Sequence, residues 1–186
     1  MLGGSFDPPH MGHVLLANYV LSCAGIDRLV VLPSHTHPFG KRFAASFAER
    51  VAMCRLAFAT LKKIEVSTLE ARLPAPNYTL YSLRALKERH PDWQLRLVVG
   101  SDVYAQRSRW LHFDALCELA PLLVVGRGQR PRAAPLPLAI PELSSTMLRR
   151  RLAQSKEVRG WLPREVAEYI EEKSLYRSSK RRSPST

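Results

Sequence analysis

The chain has 186 residues and a mass of 21.0 kDa, which fits one domain and is too short for two of ordinary size. It is 46% hydrophobic and 24% charged, so it can bury a core, which excludes a wholly disordered chain. There are 28 Lys and Arg residues against 16 Asp and Glu, giving +12 at pH 7, which favours ligands such as nucleotide phosphates, nucleic acid or an anionic surface.

Hydropathy and cysteine content narrow the class of protein further. No run approaches the roughly 18 apolar residues that a membrane-spanning helix needs. The first residues, MLGGSFDPPHMGH, lack the basic and apolar layout of a signal peptide. Cys23, Cys54 and Cys117 are far apart and odd in number, which argues against a disulfide framework. We therefore expect a cytoplasmic protein with no membrane partner.

Short apolar runs alternate with helical patterns along the chain. The runs are typical of strands buried on both faces and lie at Leu29–Leu32, Ile64–Val66, Leu95–Val99 and Leu122–Val125. Apolar spacing and start signals predict helices at His13–Ala24, Ala48–Leu61, Thr79–Arg89, Phe113–Leu119, Ser145–Ala153 and Pro163–Lys173. This alternation predicts a Rossmann-like, three-layer α/β fold, in which a parallel sheet binds ligands beyond the carboxyl ends of its strands.

Two segments lie outside this alternation. Gln129–Pro137 contains three prolines and is predicted to form a surface loop. Residues 177–186, RSSKRRSPST, carry four basic side chains and no acidic one. We therefore expect one folded domain at 1–176 and a basic, disordered tail at 177–186.

The start of the chain conflicts with the expected fold. A glycine-rich, phosphate-binding turn should follow a strand, and a strand usually has about five residues. Only Met1 and Leu2 precede Gly3 and Gly4. Either the first strand is stunted, or it is truncated because the natural chain begins a few residues upstream. We favour the second interpretation.

The most informative motif is GGSFDPPHMGH, from Gly3 to His13. Glycines let the backbone approach a ligand closely. His10 and His13 would lie near the start of a helix, whose free N–H groups favour an anion. A bare pair of histidines at this spacing more often belongs to an ordinary turn, and a metal pair is a further alternative, but the eleven-residue string is far more specific.

A second group of candidates comes late in the chain. Ser144, Ser145 and Thr146 lie at a predicted helix start, where they could serve only as N-cap residues. Arg149 follows Ser145 by one helical turn, so hydroxyls, a guanidinium and a helix N-terminus would form a second anion site. If both anion sites face one cleft, they can hold a triphosphate at its two ends.

Two residues between these motifs suit the rest of a nucleotide. Asp102 lies just after the strand Leu95–Val99, where a carboxylate can accept hydrogen bonds from ribose hydroxyls, although a helix cap is the plainer interpretation. Trp110 is either a core residue or a platform on which a flat heterocycle stacks.

Taken together, the motifs resemble the H-x-G-H nucleotidyltransferases, and more narrowly the bacterial nicotinate-nucleotide adenylyltransferases. The resemblance covers nearly the whole chain outside the Pro-rich loop and the tail. It includes Asn77-Tyr78-Thr79, Gly100-Ser101-Asp102 with Trp110 after it, and LSSTMLR ending at Arg149. It implies a nucleotidyltransferase fold and an enzyme of NAD biosynthesis that moves AMP from ATP to nicotinate mononucleotide, giving nicotinate adenine dinucleotide and pyrophosphate.

The resemblance also implies roles for individual residues. His10, His13 and Arg149 would be catalytic. The ATP-binding residues would be Gly3, Gly4, Ser5, Phe6, His10, His13, Asp102, Ser144, Ser145, Thr146 and Arg149. The acceptor-binding residues would be Lys41, Tyr78, Thr79, Trp110 and Leu111. We expect no metal site on the protein itself, and Mg²⁺ would arrive with ATP. Leu111 stands where the family commonly has an aromatic or polar residue, which leaves open the choice between nicotinate and nicotinamide.

Two alternatives stay open. The chain could be another adenylyltransferase such as phosphopantetheine adenylyltransferase, which shares the H-x-G-H loop and a late Ser-Ser-x-x-x-Arg. That family lacks the Pro-Pro before the first histidine and the Tyr-Thr and Trp layout found here. The chain could instead be a non-catalytic, basic protein that binds nucleotides, or nucleic acid through its tail. The sequence leaves the oligomeric state open.

Overall fold

A computed structural model describes residues 1–37, 40, 42–127, 139–140 and 143–177. The predicted loop Gln129–Pro137 and the predicted tail, apart from Arg177, lie outside the described residues, and so does Lys41.

A parallel sheet forms the centre of the protein. Its strands are β1 (Leu2–Gly4), β2 (Leu29–Pro33), β3 (Ile64–Val66), β4 (Leu97–Gly100), β5 (Leu122–Arg127) and β6 (Ala139–Ile140), in the spatial order β3-β2-β1-β4-β5-β6. All the pairings between these strands are parallel, and Leu2 lies opposite Val31 on one side and Val98 on the other. The strand order therefore reverses between β1 and β4, which is where such sheets bind their ligands.

Helices cover the sheet, as the three-layer prediction required. They are α1 (Met11–Cys23), α2 (Phe47–Phe58), α3 (Thr79–Arg89), α4 (Ser101–Tyr104), α5 (Phe113–Leu119), α6 (Ser145–Ala153) and α7 (Arg164–Glu172). The predicted bounds of α3, α5 and α6 are confirmed. The short helix α4, two 3₁₀ turns at Leu69–Arg72 and Arg107–Arg109, and strand β6 were not predicted.

Capping residues explain where several helices begin. Ser46 precedes α2, and its hydroxyl accepts a hydrogen bond from the Glu49 N–H at 3.3 Å while the Ser46 N–H donates to the Glu49 carboxylate at 2.7 Å. This reciprocal capping box starts the helix at Phe47, one residue before the predicted start. Pro163 is the N-cap of α7, whereas we predicted it inside the first turn.

The core consists of two layers of apolar side chains, one on each face of the sheet. Strand β2 contributes to both, because Leu29 and Val31 belong to the layer beneath α1, α2 and α7, while Val30 and Leu32 belong to the layer beneath α3 and α5. This is the two-residue alternation of a strand buried on both faces. The prediction of full burial is wrong for β3, whose position at the sheet edge leaves Glu65 exposed.

The first strand is short but central. β1 has three residues and pairs with both β2 and β4. The Met1 carbonyl extends this pairing, since it accepts a hydrogen bond from the Val98 N–H at 2.9 Å. Three residues therefore suffice to bring Gly3 and Gly4 to the carboxyl edge of the sheet. In the part of the chain that the structure describes, no helix has the length and hydropathy needed to span a membrane.

Candidate active site

A cavity of about 410 Å³ opens at the carboxyl ends of β1 and β4, where the strand order reverses. Its wall contains each predicted site residue that the structure describes. These are Gly3, Gly4, Ser5, Phe6, His10, His13, Tyr78, Thr79, Asp102, Trp110, Leu111, Ser144, Ser145, Thr146 and Arg149. The predicted acceptor residue Lys41 lies outside the described residues. The structure thus brings early, middle and late motifs to one space, while the role of each side chain stays a prediction.

The glycine loop forms one wall of the cavity. A Cβ atom added at Gly4 would come within 3.3 Å of the Phe6 ring, so the loop packs too closely here for a larger residue to fit without a shift. Phe6 itself is buried and has a positive φ of 46°. This turn leads the chain from β1 to the start of α1 at Met11.

The two histidines of the loop are fixed against each other. His10 is the N-cap of α1, and its backbone N–H donates to Nδ1 of His13 at 3.1 Å. Their rings stack with centroids 3.8 Å apart. Because Nδ1 of His13 accepts a hydrogen bond, the proton of its neutral ring is on Nε2, which is then the donor. The histidines therefore stand at a helix N-terminus, as the sequence predicted.

The late motif reaches across to this loop. Ser144 is the N-cap of α6, and its hydroxyl accepts from the Met147 N–H at 3.2 Å. The Ser145 hydroxyl points elsewhere and donates to the Pro8 carbonyl at 2.8 Å. The plain capping interpretation therefore holds for Ser144 and fails for Ser145, which connects the start of α6 to the glycine loop.

Arg149 makes a second connection between the same two segments. Its Nη1 donates to the Asp7 carbonyl at 2.5 Å and lies 3.7 Å from Oδ2 of Asp7. Its Nη2 donates to the Thr146 hydroxyl at 3.2 Å. The guanidinium is about one-fifth exposed, so it is held in place and still reaches the cavity.

Another part of the cavity wall is more aromatic. Tyr78 and Thr79 lie at the start of α3, and the Tyr78 ring packs edge-on against Tyr81. Trp110 ends a 3₁₀ turn and contacts Phe113 edge-on, with ring centroids 6.3 Å apart. Half-buried rings on a cavity wall suit a flat heterocycle better than they suit phosphate.

Asp102 lies in the first turn of α4, directly after β4. The residue is exposed and lines the cavity. The ribose contact expected of Asp102 stays a prediction.

The sequence analysis missed several buried polar residues that line the cavity or contact the glycine loop. Arg50 is 1% exposed, donates to the Ser5 carbonyl at 2.8 Å, and stacks on Phe43 at 3.8 Å from the ring centroid. Burial outweighs the nearby acidic groups and lowers the pKa of Arg50. Nothing in the sequence showed that Arg50 holds the glycine loop.

Glu70 and Asn77 form a second buried group, on the cavity wall. Glu70 accepts hydrogen bonds from the His35 N–H and the Ser82 hydroxyl, both at 3.0 Å. Asn77 accepts from the Thr36 N–H at 2.8 Å. Burial raises the pKa of Glu70 to about 7. The two hydrogen bonds and the positive charge of Arg50 lower this pKa, but by less than burial raises it. This pair fixes the loop after β2 to the segment before α3.

Comparisons with known proteins agree with this geometry. The cytidylyltransferase-like family model matches residues 1–151. A probable nicotinate-nucleotide adenylyltransferase of Anaeromyxobacter dehalogenans is 42% identical, and the match covers 95% of each chain. The nicotinate-nucleotide adenylyltransferase of Bacillus subtilis is 35% identical, with 96% of this chain and 97% of that protein covered.

A solved structure has the same fold. The Plasmodium falciparum nicotinic acid mononucleotide adenylyltransferase complexed with NaAD superposes with a TM-score of 0.79 at 20% identity, covering 94% of this chain and 95% of that one. With the sequence matches over nearly the full length, the fold and the motifs agree on one assignment. The chain belongs to the cytidylyltransferase-like family and, within it, to the nicotinate-nucleotide adenylyltransferases.

Proposed function

We propose that the cavity transfers the adenylyl group of ATP to nicotinate mononucleotide, giving nicotinate adenine dinucleotide and pyrophosphate. One observation carries the proposal: the glycine loop and the start of α6 meet at one cavity through the hydrogen bond from Ser145 to the Pro8 carbonyl. The N-termini of α1 and α6 therefore serve the same space. Two helix N-termini at one cavity favour a ligand with several phosphates.

The phosphate end would bind the triphosphate of ATP. His10 and His13 would donate hydrogen bonds from the glycine loop, and Gly3 to Phe6 would bring the backbone close to the nucleotide. Ser144, Ser145, Thr146 and Arg149 would bind it from the side of α6. A guanidinium forms strong, charge-assisted hydrogen bonds with phosphate oxygens, so Arg149 is the main cation that we assign to this end.

The acceptor end would bind the mononucleotide. The pyridine ring would stack on Trp110, and Tyr78, Thr79 and the backbone at Leu111 would meet its carboxylate. Asp102 would accept hydrogen bonds from ribose hydroxyls, and Lys41 would contact phosphate. Leu111 offers no polar side chain, so selection of nicotinate here would depend on backbone N–H groups and on Thr79.

The chemistry needs no covalent intermediate. A phosphate oxygen of the mononucleotide attacks the α-phosphorus of ATP in line. The bond from that phosphorus to the oxygen bridging to the β-phosphate breaks, and pyrophosphate leaves with the electron pair. The attacking phosphate is already ionised at pH 7, so no general base is required. Positioning can then supply roughly 7–11 kcal/mol of the barrier reduction, and the cationic groups stabilise the charge on the leaving pyrophosphate.

Mg²⁺ would enter with ATP as part of the substrate. It would screen the triphosphate and draw charge from the leaving group. Magnesium typically binds to substrate phosphates and one or two carboxylates. Asp102 is an exposed carboxylate on the cavity wall, within the part of the chain that the structure describes. This donor set fits a metal carried by the nucleotide.

The test is a pyrophosphate-release assay with ATP and one acceptor at a time. We expect turnover with nicotinate mononucleotide and less with nicotinamide mononucleotide. Turnover with phosphopantetheine instead would assign the chain to a different adenylyltransferase activity. His13→Ala serves as the inactive control. If neither mononucleotide reacts while nucleic acid binds in a salt-dependent way, the enzyme proposal is wrong.

We place the reaction in the cytoplasm and in one domain, residues 1–176. The three cysteines are free, and Cys54 is buried, which suits a reducing compartment. The helix α7 packs on α2, and α7 and Tyr176 belong to the same core as the glycine loop, which supports including the chain up to Tyr176 in this domain.

A further inference from the structure

Asp7 lies inside the first motif, yet none of the roles above uses it. The residue is 2% exposed. Its Oδ2 accepts a hydrogen bond from the Ala44 N–H at 2.7 Å, and its Oδ1 accepts from the Ala45 N–H at 3.1 Å and from the Tyr176 hydroxyl at 2.8 Å. Arg149 contacts the same residue, at its carbonyl and at its carboxylate. Groups from three distant parts of the chain therefore converge on Asp7: two parts donate hydrogen bonds to its carboxylate, and Arg149 donates to its carbonyl.

A buried carboxylate is stable only where donors and a cation compensate for the lost water. For Asp7 the Ala44 and Ala45 N–H groups, the Tyr176 hydroxyl and the Arg149 cation supply this compensation. Of the groups involved, Arg149 lines the cavity, whereas Asp7 and Tyr176 are not among the lining residues. Any effect of Asp7 on a bound nucleotide therefore passes through Arg149 or through the backbone of the glycine loop.

Tyr176 ties the last described turn of the chain to this carboxylate. It is half-buried, lies just after α7, and reaches Asp7 across a sequence separation of 169 residues. Burial and the neighbouring Asp7 raise the pKa of Tyr176, so its hydroxyl stays a neutral donor at working pH. The sulfur of Met53 lies 4.0 Å from the same hydroxyl, which fixes the ring from the side of α2.

We propose that Asp7 is a positioning residue for adenylyl transfer: it holds the Arg149 guanidinium in the orientation that the triphosphate requires, and Tyr176 holds Asp7. The inference rests on the proposed function. Preorganised donors stabilise charge at no reorganisation cost during the reaction. Asp7 supplies that preorganisation for Arg149, because one Nη1 atom is directed at both its carbonyl and its carboxylate.

A double-mutant cycle separates this role from a purely structural one. We expect Asp7→Asn to lower kcat/KM for ATP roughly 10-fold, because it removes the negative charge that lies 3.7 Å from Nη1 of Arg149 while keeping the backbone carbonyl to which Nη1 donates. In an Arg149→Ala background, the same substitution should lower it less than about 3-fold, because the group through which Asp7 acts is absent. Equal fold-changes in both backgrounds would overturn the proposal.

If thermal unfolding shows that Asp7→Asn does not fold, Tyr176→Phe provides a second test of the same proposal. It removes one hydroxyl and leaves the carboxylate in place. We expect kcat/KM for ATP to fall roughly 3- to 10-fold, KM for the acceptor to stay unchanged, and the effect to vanish in the Arg149→Ala background. Tyr169→Phe is the matched control, since it removes a hydroxyl from α7 that makes no contact with Asp7, and its kinetics should match the wild type.

The wild type separates failure of this inference from failure of the proposed function. No dinucleotide formation by the wild-type chain would refute the function. If the wild type is active but the losses caused by Asp7→Asn and Arg149→Ala simply multiply in the double variant, the positioning role alone is refuted. The same holds if the wild type is active and Tyr176→Phe is as active as the Tyr169→Phe control.

Discussion

The proposed phosphate end and the proposed acceptor end of the cavity are built differently. At the phosphate end, Ser145 and Arg149 contact Pro8 and Asp7 across sequence separations of 137 and 142 residues. At the acceptor end, Tyr78, Thr79, Trp110 and Leu111 come from two local segments and present aromatic, apolar and hydroxyl groups. The phosphate end is thus a network of fixed charges and dipoles, whereas the acceptor end is a shaped surface.

This difference predicts two kinds of kinetic defect. Groups at the phosphate end would stabilise charge that is greatest in the transition state, so their loss should lower kcat. Groups at the acceptor end would bind the mononucleotide alike before and during reaction, so their loss should raise its KM. Substitutions at each end can test the distinction.

The largest effect is expected at His13. His13→Ala removes one donor at the N-terminus of α1 and should lower kcat roughly 10²- to 10³-fold, while the thermal unfolding midpoint changes little. Steady-state kinetics and a thermal melt measure both quantities. His90→Gln is the control, because His90 stacks on Trp93 and does not line the cavity. Near-normal turnover of His13→Ala would remove His13 from the mechanism.

Arg149→Ala should have the next largest effect. The loss of a charge-assisted contact to phosphate should lower kcat/KM for ATP roughly 10- to 100-fold. Arg150→Ala removes the adjacent, exposed arginine of α6 and should leave the same constant unchanged. If the two variants are equally impaired, general positive charge matters more than the position of Arg149.

Trp110 tests the acceptor end. Trp110→Ala should raise KM for nicotinate mononucleotide roughly 5- to 50-fold, because stacking of an aromatic base is worth about 1–3 kcal/mol. Trp110→Phe should retain most of the affinity, and KM for ATP should stay constant in both variants. Trp93→Phe controls for loss of a tryptophan outside the cavity. A rise in KM for ATP alone would contradict the assigned orientation of the two substrates.

The smallest effect concerns pH and Glu70, whose pKa is raised by burial from 4.5 to about 7. Between pH 4.5 and about pH 7, Glu70 carries a proton in the folded chain that it has lost in the unfolded chain. Glu70 therefore stabilises the fold most below pH 4.5. This contribution is lost as the pH rises through about 7. Relative to Glu70→Gln, the wild-type unfolding midpoint should therefore fall between pH 5 and pH 8. Parallel melting curves for the two proteins across this range would show that Glu70 does not titrate as described.

Much of the fold could be predicted because local signals were strong. The run Leu29–Leu32 predicted a strand buried on both faces, and the start of α6 followed from the hydroxyl residues at its first turn. β3 was misjudged because three residues carry too little pattern to distinguish an edge strand from a central one. The turn at Arg107–Arg109 and helix α4 have no periodicity that could be recognised in so few residues.

Only part of the site could be predicted, because a motif contains the spacing of residues along the chain and not their tertiary contacts. Glycines, histidines and hydroxyls at fixed spacing identify a phosphate loop, because the spacing itself sets their geometry. Glu70, Arg50 and Tyr176 have no such spacing relative to the loop. Their importance depends on burial and on partners 35 to 169 residues away, which the sequence does not display.

The sequence by itself determined the layered fold, the two helix starts that we propose to bind phosphate, and the family. These depend on local propensity and on residues close together in the chain. Only the tertiary structure decided that Ser145 contacts the glycine loop while Ser144 caps the helix, and that Asp7 collects donors from three distant segments. A hydroxyl or a carboxylate accepts many partners with similar energy, so packing of the surrounding elements selects which partner it has.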